Sequence, residues 1–211
     1  MQLLGMSVRF HYNSNGYFPD RIETERLTLE RVSKEKFSAE EVFEVMSSQG
    51  VEEAFETYPY ETPDNLEEAQ EYVEKREYEN REDENSMYFV KLDDSEDPFI
   101  GLEAIKNKGE GVAEIGFWIS SDYWGNGYSP EASEAMLDLL LDEKDFDKVE
   151  VQTRKSNQKA QRAIEKFIEP YGGEKVGEIE TTLAEATEYS DSDEEITEVT
   201  YEIKREAYQS S

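Results

Sequence analysis

The segment Ile119–Ala132 combines glycines, polar side chains and a proline in an order that suits the binding of an anion. A strand is expected to end where this segment begins. A helix is expected to begin near Pro130, because the missing N–H of proline costs little in a first helical turn. Such a junction aims unpaired backbone N–H groups and the positive end of a helix dipole at one point. Gly125 and Gly127 would let the backbone approach a phosphate. The alternative is a plain turn that only needs positive φ.

Basic side chains cluster in one later segment of an otherwise acidic chain. Residues 154–166 carry five of the 22 Lys and Arg residues and a single acid. These five are Arg154, Lys155, Lys159, Arg162 and Lys166. If this segment and the glycine loop flank neighbouring strands, both can meet one polyphosphate ligand. The alternative is that the bases pair with the surrounding acids.

Hydrophobic periodicity predicts the elements that would hold these two features. An apolar run over Val112–Ile119 predicts a strand before the glycine loop, and apolar residues at helical spacing follow Gly127. The run Val149–Thr153 predicts the next strand, and the basic segment continues into a helix that stops before Pro170. The loop and the basic segment therefore each follow a strand and begin a helix.

The remaining periodic segments predict further strands and two more helices. One helix is expected to end at Gly50 as its C-cap, and the next to begin at Asp64 as its N-cap. The strands are expected at Arg26–Val32, Met87–Leu92, Phe99–Ile105, Lys175–Ile179 and Val199–Lys204.

Two segments lie outside this pattern. Residues 1–20 lack periodicity and are expected to form a tail or a loose strand. Residues 180–198 hold eight acids and no base, which favours a charged, mobile hairpin extension. The element order predicts one domain over residues 1–211 of α/β (α+β) class. Its mixed, mostly antiparallel sheet should have about seven strands, about four flanking helices and one parallel crossover.

Composition excludes several classes of function. With 52 acids against 22 Lys and Arg, the formal net charge is −30, which argues against nucleic acids and anionic membrane surfaces as partners. The absence of cysteine excludes disulfides, thiolate nucleophiles and zinc-ribbon sites. A hydrophobic fraction of 36% is enough for a core, so the acids favour a folded protein from a halophilic cytoplasm over a disordered chain. The opening MQLLGMSVRF lacks the pattern of a signal peptide, which favours a cytoplasmic protein.

Four motifs in the same order resemble the acyl-CoA-dependent N-acetyltransferase (GNAT) superfamily. They are Glu-Ile-Gly-Phe-Trp-Ile at 114–119, Tyr-Trp-Gly-Asn-Gly-Tyr-Ser-Pro-Glu-Ala at 123–132, Ser-Asn-Gln-Lys-Ala-Gln-Arg-Ala-Ile-Glu-Lys-Phe at 156–167, and Glu-Thr-Glu-Arg-Leu-Thr-Leu-Glu at 23–30. Together with Tyr-Pro-Tyr-Glu-Thr at 58–62, they are most similar to the branch of ribosomal-protein acetyltransferases RimJ and RimL. The resemblance covers about residues 21–178 and implies the GNAT fold.

The resemblance implies acetyl-CoA as co-substrate, an amine as acceptor and no metal. Pantetheine would lie between the two central strands, along the backbone of Phe117, Trp118 and Ile119. The family's pyrophosphate loop corresponds to Trp124, Gly125, Asn126, Gly127, Tyr128 and Ser129. Asn157 matches the asparagine that contacts the cofactor, and Arg162 or Lys166 could meet outer phosphates. Tyr58 and Tyr60 would line the acceptor side.

Three departures from the family pattern concern the loop and the acid–base groups. Asp122 stands where the loop motif often has Arg or Gln, and Ala160 replaces a serine. Ile164 replaces the tyrosine that some members use as general acid. The family's Lys-x-Gly-Phe is also expanded at residues 166–173. Cofactor binding is therefore better supported than any assignment of acid or base.

The reaction needs a neutral amine. Near pH 7, deprotonation costs about 4.6 kcal/mol for a lysine side chain and about 1 kcal/mol for an α-amine, so a site without a strong base suits the α-amine. Glu114 is the first candidate base, since alternation puts it on the strand face of Gly116 and Trp118, although a solvent-facing role is the alternative. Glu103 and Tyr88 are weaker candidates. The oxyanion would fall to a backbone N–H near Ile119.

Other interpretations stay open beside the enzyme. The same fold could bind CoA without catalysis, and a Rossmann-type binder is remote because the third glycine is missing. His11 is the single histidine, which disfavours a His-based triad or metal site. The acids near Asp191 lack EF-hand spacing. The sequence determines neither the acceptor nor the oligomeric state, and a homodimer remains open.

Overall fold

The computed structural model describes residues 7–12, 16–56, 60, 62–81, 85–187 and 190–211. Nine strands form one sheet in the order β1-β2-β3-β4-β5-β6-β7-β9-β8. The strands are β1 Arg9–His11, β2 Arg21–Glu23, β3 Leu27–Arg31, β4 Asn85–Leu92, β5 Gly101–Gly109, β6 Val112–Ile119, β7 Lys148–Arg154, β8 Glu174–Thr182 and β9 Glu195–Lys204. The α-helices are α1 Ala39–Met46, α2 Gln49–Phe55, α3 Leu66–Arg81, α4 Tyr128–Leu137, α5 Gln158–Ile168, α6 Leu183–Ala186 and α7 Arg205–Ser210.

The mixed sheet predicted from the sequence is confirmed. Every neighbouring pair is antiparallel except β6 and β7, which run parallel because α4 makes the crossover between them. The expected counts of seven strands and four helices are too low. The additional elements are β1, β2, α2, α6 and α7, which have three to seven residues each and are too short to show a period in the sequence.

Side chains on the two faces of the sheet enter two separate cores. Ala113, Ile115 and Ile119 of β6 point to the core shared with α4 and α5. Trp118 of the same strand points to the other core, with α1, α2 and α3. This alternation follows from the period of two along a strand. The helices thus cover both faces, and the ends of β6 and β7 lie between the two layers.

Two predicted helix caps are wrong. α1 ends at Met46, and Gly50 lies buried inside α2, where a Cβ would come within 2.2 Å of the hydroxyl oxygen of Ser120. The glycine is therefore needed for close packing against the loop after β6, and it does not cap a helix. At the start of α3 the amide oxygen of Asn65 accepts from the N–H of Glu68 at 3.1 Å, so Asn65 is the cap in place of Asp64.

The segments 1–20 and 180–198, which lie outside the periodic pattern, both contain regular structure. Within residues 1–20, Arg9–His11 pairs with β2 as the first edge strand of the sheet. The two ends of the acidic segment 180–198 continue β8 and β9, which extend to Thr182 and from Glu195. Their connection includes the short helix α6, whose Leu183 is buried. Among the described residues β8 and β9 pair as an antiparallel hairpin, and the mobility of its tip stays a prediction.

Candidate active site

The parallel strands β6 and β7 separate at the centre of the sheet. Their register runs from Val112 beside Lys148 to Ile115 beside Val151 and then stops. β6 continues to Ile119 while it remains paired with β5, and β7 continues to Arg154 while it remains paired with β9. A wedge-shaped gap therefore opens between the two strands beyond Ile115.

A cavity of about 440 Å³ occupies this gap. On the strand side it is lined by Gly116, Phe117, Trp118 and Thr153, and Asn157 lines it at the start of α5. Tyr60, α2 and α3 form the opposite wall. Of the residues expected along pantetheine, Phe117 and Trp118 line the cavity, and Ile119 ends the strand beside it in the core on the other face. A volume of this size fits an extended chain plus a small acceptor group.

The glycine loop after β6 contains two residues in the left-handed backbone region. Gly125 and Gly127 have φ of 83° and 82°, in the left-handed region that side chains with a Cβ disfavour. The indole N–H of Trp124 donates to the carbonyl of Ile119 at 2.7 Å, which ties the loop back to β6. Within the described part of the chain, the backbone N–H groups of residues 125–129 have no backbone acceptor. They are thus available at the start of α4.

The predicted loop residues Asn126, Tyr128 and Ser129 have different roles in the structure. Asn126 uses its amide nitrogen to donate to the carbonyl of Tyr123 at 3.1 Å, so its side chain braces the loop. Tyr128 and Ser129 form the first turn of α4. The hydroxyl oxygen of Ser129 is buried and has no hydrogen-bond partner among the described residues. The predicted contact of Ser129 with the cofactor stays a prediction.

An ion pair that the sequence reasoning missed stands behind the loop. The guanidinium of Arg26 contacts the carboxylate of Glu131 through Nε at 2.7 Å and Nη2 at 2.6 Å. Glu131 lies in the first turn of α4 and is buried. Both residues lie in motifs that carried the family resemblance, but their separation of 105 positions gave no signal that they meet.

The basic segment reaches the loop through Lys159. The Lys159 ammonium lies 4.1 Å from the centre of the Trp124 ring, a cation–π contact that joins the two predicted features. Arg162 and Lys166 follow on the same face of α5, exposed and without an ion-pair partner among the described residues. Lys155 instead pairs with Glu178 at 2.6 Å. Convergence on the loop is thus observed for one part of the cluster, and pairing with acids for another.

Asn157 begins α5 and also lines the cavity. Its side-chain oxygen accepts from the N–H of Ala160 at 3.0 Å, which makes it the helix N-cap. Ala160 and Ile164 face the same cavity one and two turns further along. Ile164, which stands where some family members have a tyrosine as general acid, therefore gives this part of the cavity an apolar surface.

Aromatic side chains form the wall of the cavity opposite the strands. The ring of Tyr60 stacks on Phe55 with 5.1 Å between centres, and Phe55 meets Trp118 edge-on at 5.3 Å. The Tyr60 hydroxyl lies 3.2 Å from that of Tyr72. Tyr58, the other residue expected on this side, lies outside the described residues. Tyr60 lines the cavity, and its role toward an acceptor stays a prediction.

Glu114 lines the cavity on the face it shares with Gly116. Its carboxylate is 3.0 Å from the ammonium of Lys108, which also contacts Glu150 at 2.9 Å. Partial burial lowers the pKa of Lys108, but its hydrogen bonds to Glu150 and Glu114 outweigh this effect and raise the pKa above its ordinary value. Glu114 is therefore near the site and already shares a cation.

The two weaker candidate bases do not line the cavity. Glu103 is fully buried, and one of its oxygens accepts from the hydroxyl of Ser133 at 2.8 Å. Burial raises the pKa of Glu103 well above its usual range. The hydroxyl of Tyr88 donates to the carbonyl of Pro19 at 2.8 Å, inside the core next to α4. Both side chains are therefore buried and hydrogen-bonded away from the cavity.

A family model described as acetyltransferase (GNAT) domain matches residues 26–167, more than half of the chain. The chain belongs to the GNAT acetyltransferase family. Family membership makes it an acyltransferase, and the splayed strands and the glycine loop are the parts of the GNAT fold described above. The predicted fold class is confirmed.

Comparisons with individual proteins agree with this family. A GCN5-related N-acetyltransferase from Brucella melitensis superposes with a TM-score of 0.71 at 17% identity, covering 90% of this chain and 80% of that one. RimJ from Mycobacterium smegmatis, solved with CoA-disulfide, gives 0.66 at 17%, covering 85% and 82%. The uncharacterized protein YkkB from Bacillus subtilis is 38% identical over 56 residues, 26% of this chain and a third of its own length. The two solved structures therefore share the fold of this chain.

The described residues contain neither a metal-binding cluster nor a membrane-spanning helix. No group of three or more His, Cys, Asp or Glu side chains in this part of the chain is arranged to hold a metal ion. Among the same residues, no helix is both long enough and apolar enough to cross a bilayer.

Proposed function

We propose that this GNAT protein transfers an acetyl group from acetyl-CoA to an amine, either the α-amine of a protein or a small amine. The observation that carries the proposal is the gap between β6 and β7. It is flanked by the available amides of the glycine loop and the aromatic wall around Tyr60. The continuous sheet from β1 to β8 supports one acetyltransferase domain across the chain.

Acetyl-CoA would bind along the edge of β6. Pantetheine would follow the backbone of residues 117–119, where the pairing with β7 has stopped. The pyrophosphate would accept hydrogen bonds from amides between Trp124 and Ser129, at the positive end of α4. Asn157 would meet the cofactor from the start of α5, and Arg162 or Lys166 would meet the outer phosphates. Backbone donors supply most of this site.

The acceptor would enter past the aromatic wall and attack the thioester carbonyl with a neutral nitrogen. A C–N bond forms while the carbonyl electrons move to oxygen, which a backbone N–H near Ile119 would stabilise. Collapse of this intermediate breaks the C–S bond, and CoA leaves as a thiolate. The proton lost by nitrogen would pass to Glu114, directly or through water. An α-amine suits this site because its deprotonation costs about 1 kcal/mol near pH 7, against about 4.6 for a lysine side chain.

A second function from another class is a CoA-binding protein without catalysis. It is favoured by the apolar cavity surface at Ala160 and Ile164 and by the contact of Glu114 with Lys108. In this function the loop and α5 keep their roles, and the acceptor side carries no chemistry.

Calorimetric titration with acetyl-CoA, followed by thiol release with three acceptors, separates the two functions. The acceptors are a peptide with a free N-terminus, the same peptide acetylated at its N-terminus with an internal lysine, and a polyamine. Binding with turnover of the free N-terminus supports the first function and its preference for an α-amine. Binding without turnover favours the second, and absence of binding contradicts both.

We propose a halophilic cytoplasm as the setting of this enzyme. The support is the net charge of −30 together with the acidic exposed face of α3. Carboxylates keep a surface hydrated where molar salt screens charge beyond about 3 Å. The free energy of unfolding should therefore be higher at molar KCl than at low salt, which chemical denaturation measures.

A further inference from the structure

We propose that Arg26 is a positioning residue for the pyrophosphate loop, which aligns the Gly127 amide and neutralises a carboxylate beside the anion. This inference rests on the proposed binding of acetyl-CoA. Arg26 lies just before β3, about a hundred positions from the loop in sequence, and it is half exposed. It would not touch the reacting atoms.

Among the described residues, Glu131 accepts three hydrogen bonds, and Arg26 supplies two of them together with an ion-pair contact. The Arg26 backbone N–H donates to Oε1 at 2.9 Å, and its Nε donates to Oε2 at 2.7 Å. The Nη2 atom lies 2.6 Å from the same Oε2 as an ion-pair contact. The hydroxyl of Thr24 donates to Oε1 at 2.6 Å. The carboxylate is 7% exposed, so these donors replace its hydration. The pair thus joins the chain before β3 to the first turn of α4.

The remaining guanidinium nitrogen acts on the loop itself. Nη1 of Arg26 donates to the carbonyl of Asn126 at 3.1 Å, and the guanidinium carbon lies 4.7 Å from the centre of the Tyr128 ring. In a planar trans peptide, the carbonyl of Asn126 and the N–H of Gly127 point in opposite directions. When Arg26 holds this carbonyl, the Gly127 N–H is directed away from the guanidinium, toward the open side of the loop.

The pair also settles an electrostatic conflict. A carboxylate in the first turn of a helix is favourable for the helix dipole, but it repels a phosphate bound at the same helix end. Glu131 is in that position, and Arg26 supplies the compensating charge from behind the loop. Loss of the guanidinium would leave a buried negative charge beside the anion site and release the Asn126 carbonyl. Both effects weaken pyrophosphate binding.

The test compares two acetyl donors that differ in the pyrophosphate. Acetyl-CoA carries it and S-acetylpantetheine does not. For Arg26→Met we expect KM for acetyl-CoA and Kd for CoA to rise at least tenfold, with kcat at saturation little changed. KM for S-acetylpantetheine should stay within twofold of the wild type. Arg26→Lys retains a positive charge for Glu131 but loses the guanidinium nitrogen that also reaches Asn126. Its increase in KM for acetyl-CoA and in Kd for CoA should therefore be intermediate.

Arg21→Met is the matched control, because Arg21 on β2 pairs with Glu30 far from the loop. This variant should leave KM unchanged for both acetyl donors. Equal losses with both donors for Arg26→Met would assign Arg26 a merely structural role, and unchanged CoA affinity would overturn the inference. If Arg26→Met does not fold, Arg26→Lys carries the same comparison. Failure of the wild type to bind CoA would instead contradict the proposed function.

Discussion

The two sides of the cavity are built in different ways. On the loop side, backbone N–H groups at residues 125–129 are available, and the nearby carboxylate of Glu131 is fully hydrogen-bonded by Arg26 and Thr24. On the acceptor side the chemistry depends on side chains. The main candidate there, Glu114, shares its carboxylate with Lys108.

This difference shows which part of the reaction the fold itself supports. Backbone amides at a helix start keep their direction whatever side chains surround them, so this side of the cavity depends little on the identity of individual side chains. Acceptor chemistry needs individual side chains from α2, α3 and β6, and any of them can change without loss of the fold. The loop side therefore indicates the donor, and the acceptor side leaves the choice of amine to experiment.

The largest effect is expected for Glu114→Gln. General bases contribute about 100-fold or more, so kcat/KM near pH 7 should fall about 100-fold and the loss should shrink near pH 9, where more of the amine is already neutral. The pH profile of thiol release measures this. Glu150→Gln is the control, since it removes the other carboxylate on Lys108. An unchanged profile would exclude Glu114 as base, and equal losses in both variants would point to Lys108.

A smaller effect is expected for Gly127→Ala. A left-handed backbone costs an L-residue about 1–2 kcal/mol, so Kd for acetyl-CoA should rise about tenfold as the loop relaxes. Gly109→Ala is a matched control, with φ of 79° in the β5–β6 turn and open space around the position of its Cβ. It should lower the free energy of unfolding by a similar amount without changing Kd, measured by calorimetry. Equal Kd changes in the two variants would contradict a special role of the loop.

The smallest effect is expected for the salt dependence of CoA binding and of the free energy of unfolding. Raising KCl from about 50 mM to about 2 M should weaken CoA binding a few-fold because Arg162 and Lys166 are screened, while the free energy of unfolding rises as the acidic surface is relieved. At high salt, Lys166→Gln should bind CoA as tightly as the wild type does. At low salt, it should bind CoA more weakly than the wild type does. Lys155→Gln is the control because Lys155 already pairs with Glu178. Equal stability at both salt concentrations would contradict the halophilic setting.

Local patterns predicted the strands and helices that hold the loop. β6 was predicted with its observed bounds, and the helices after Gly127 and around Ala160 follow because their apolar stripes are longer than two turns. The short elements were missed, since three residues such as Arg9–His11 show no period and form a strand only by pairing with β2. Gly50 was misjudged because its role depends on Ser120, which is distant in sequence.

By itself the sequence determined the family, the mixed sheet and the position of the glycine loop, because these depend on residues that are neighbours along the chain. The tertiary structure alone decided which side chains meet. It brought Arg26 to Glu131 and Lys159 to Trp124, it removed Glu103 and Tyr88 from the cavity, and it placed Glu114 beside Lys108. The physical reason is that charge pairing and burial depend on distances across the fold, and these follow from the packing of both layers on the sheet.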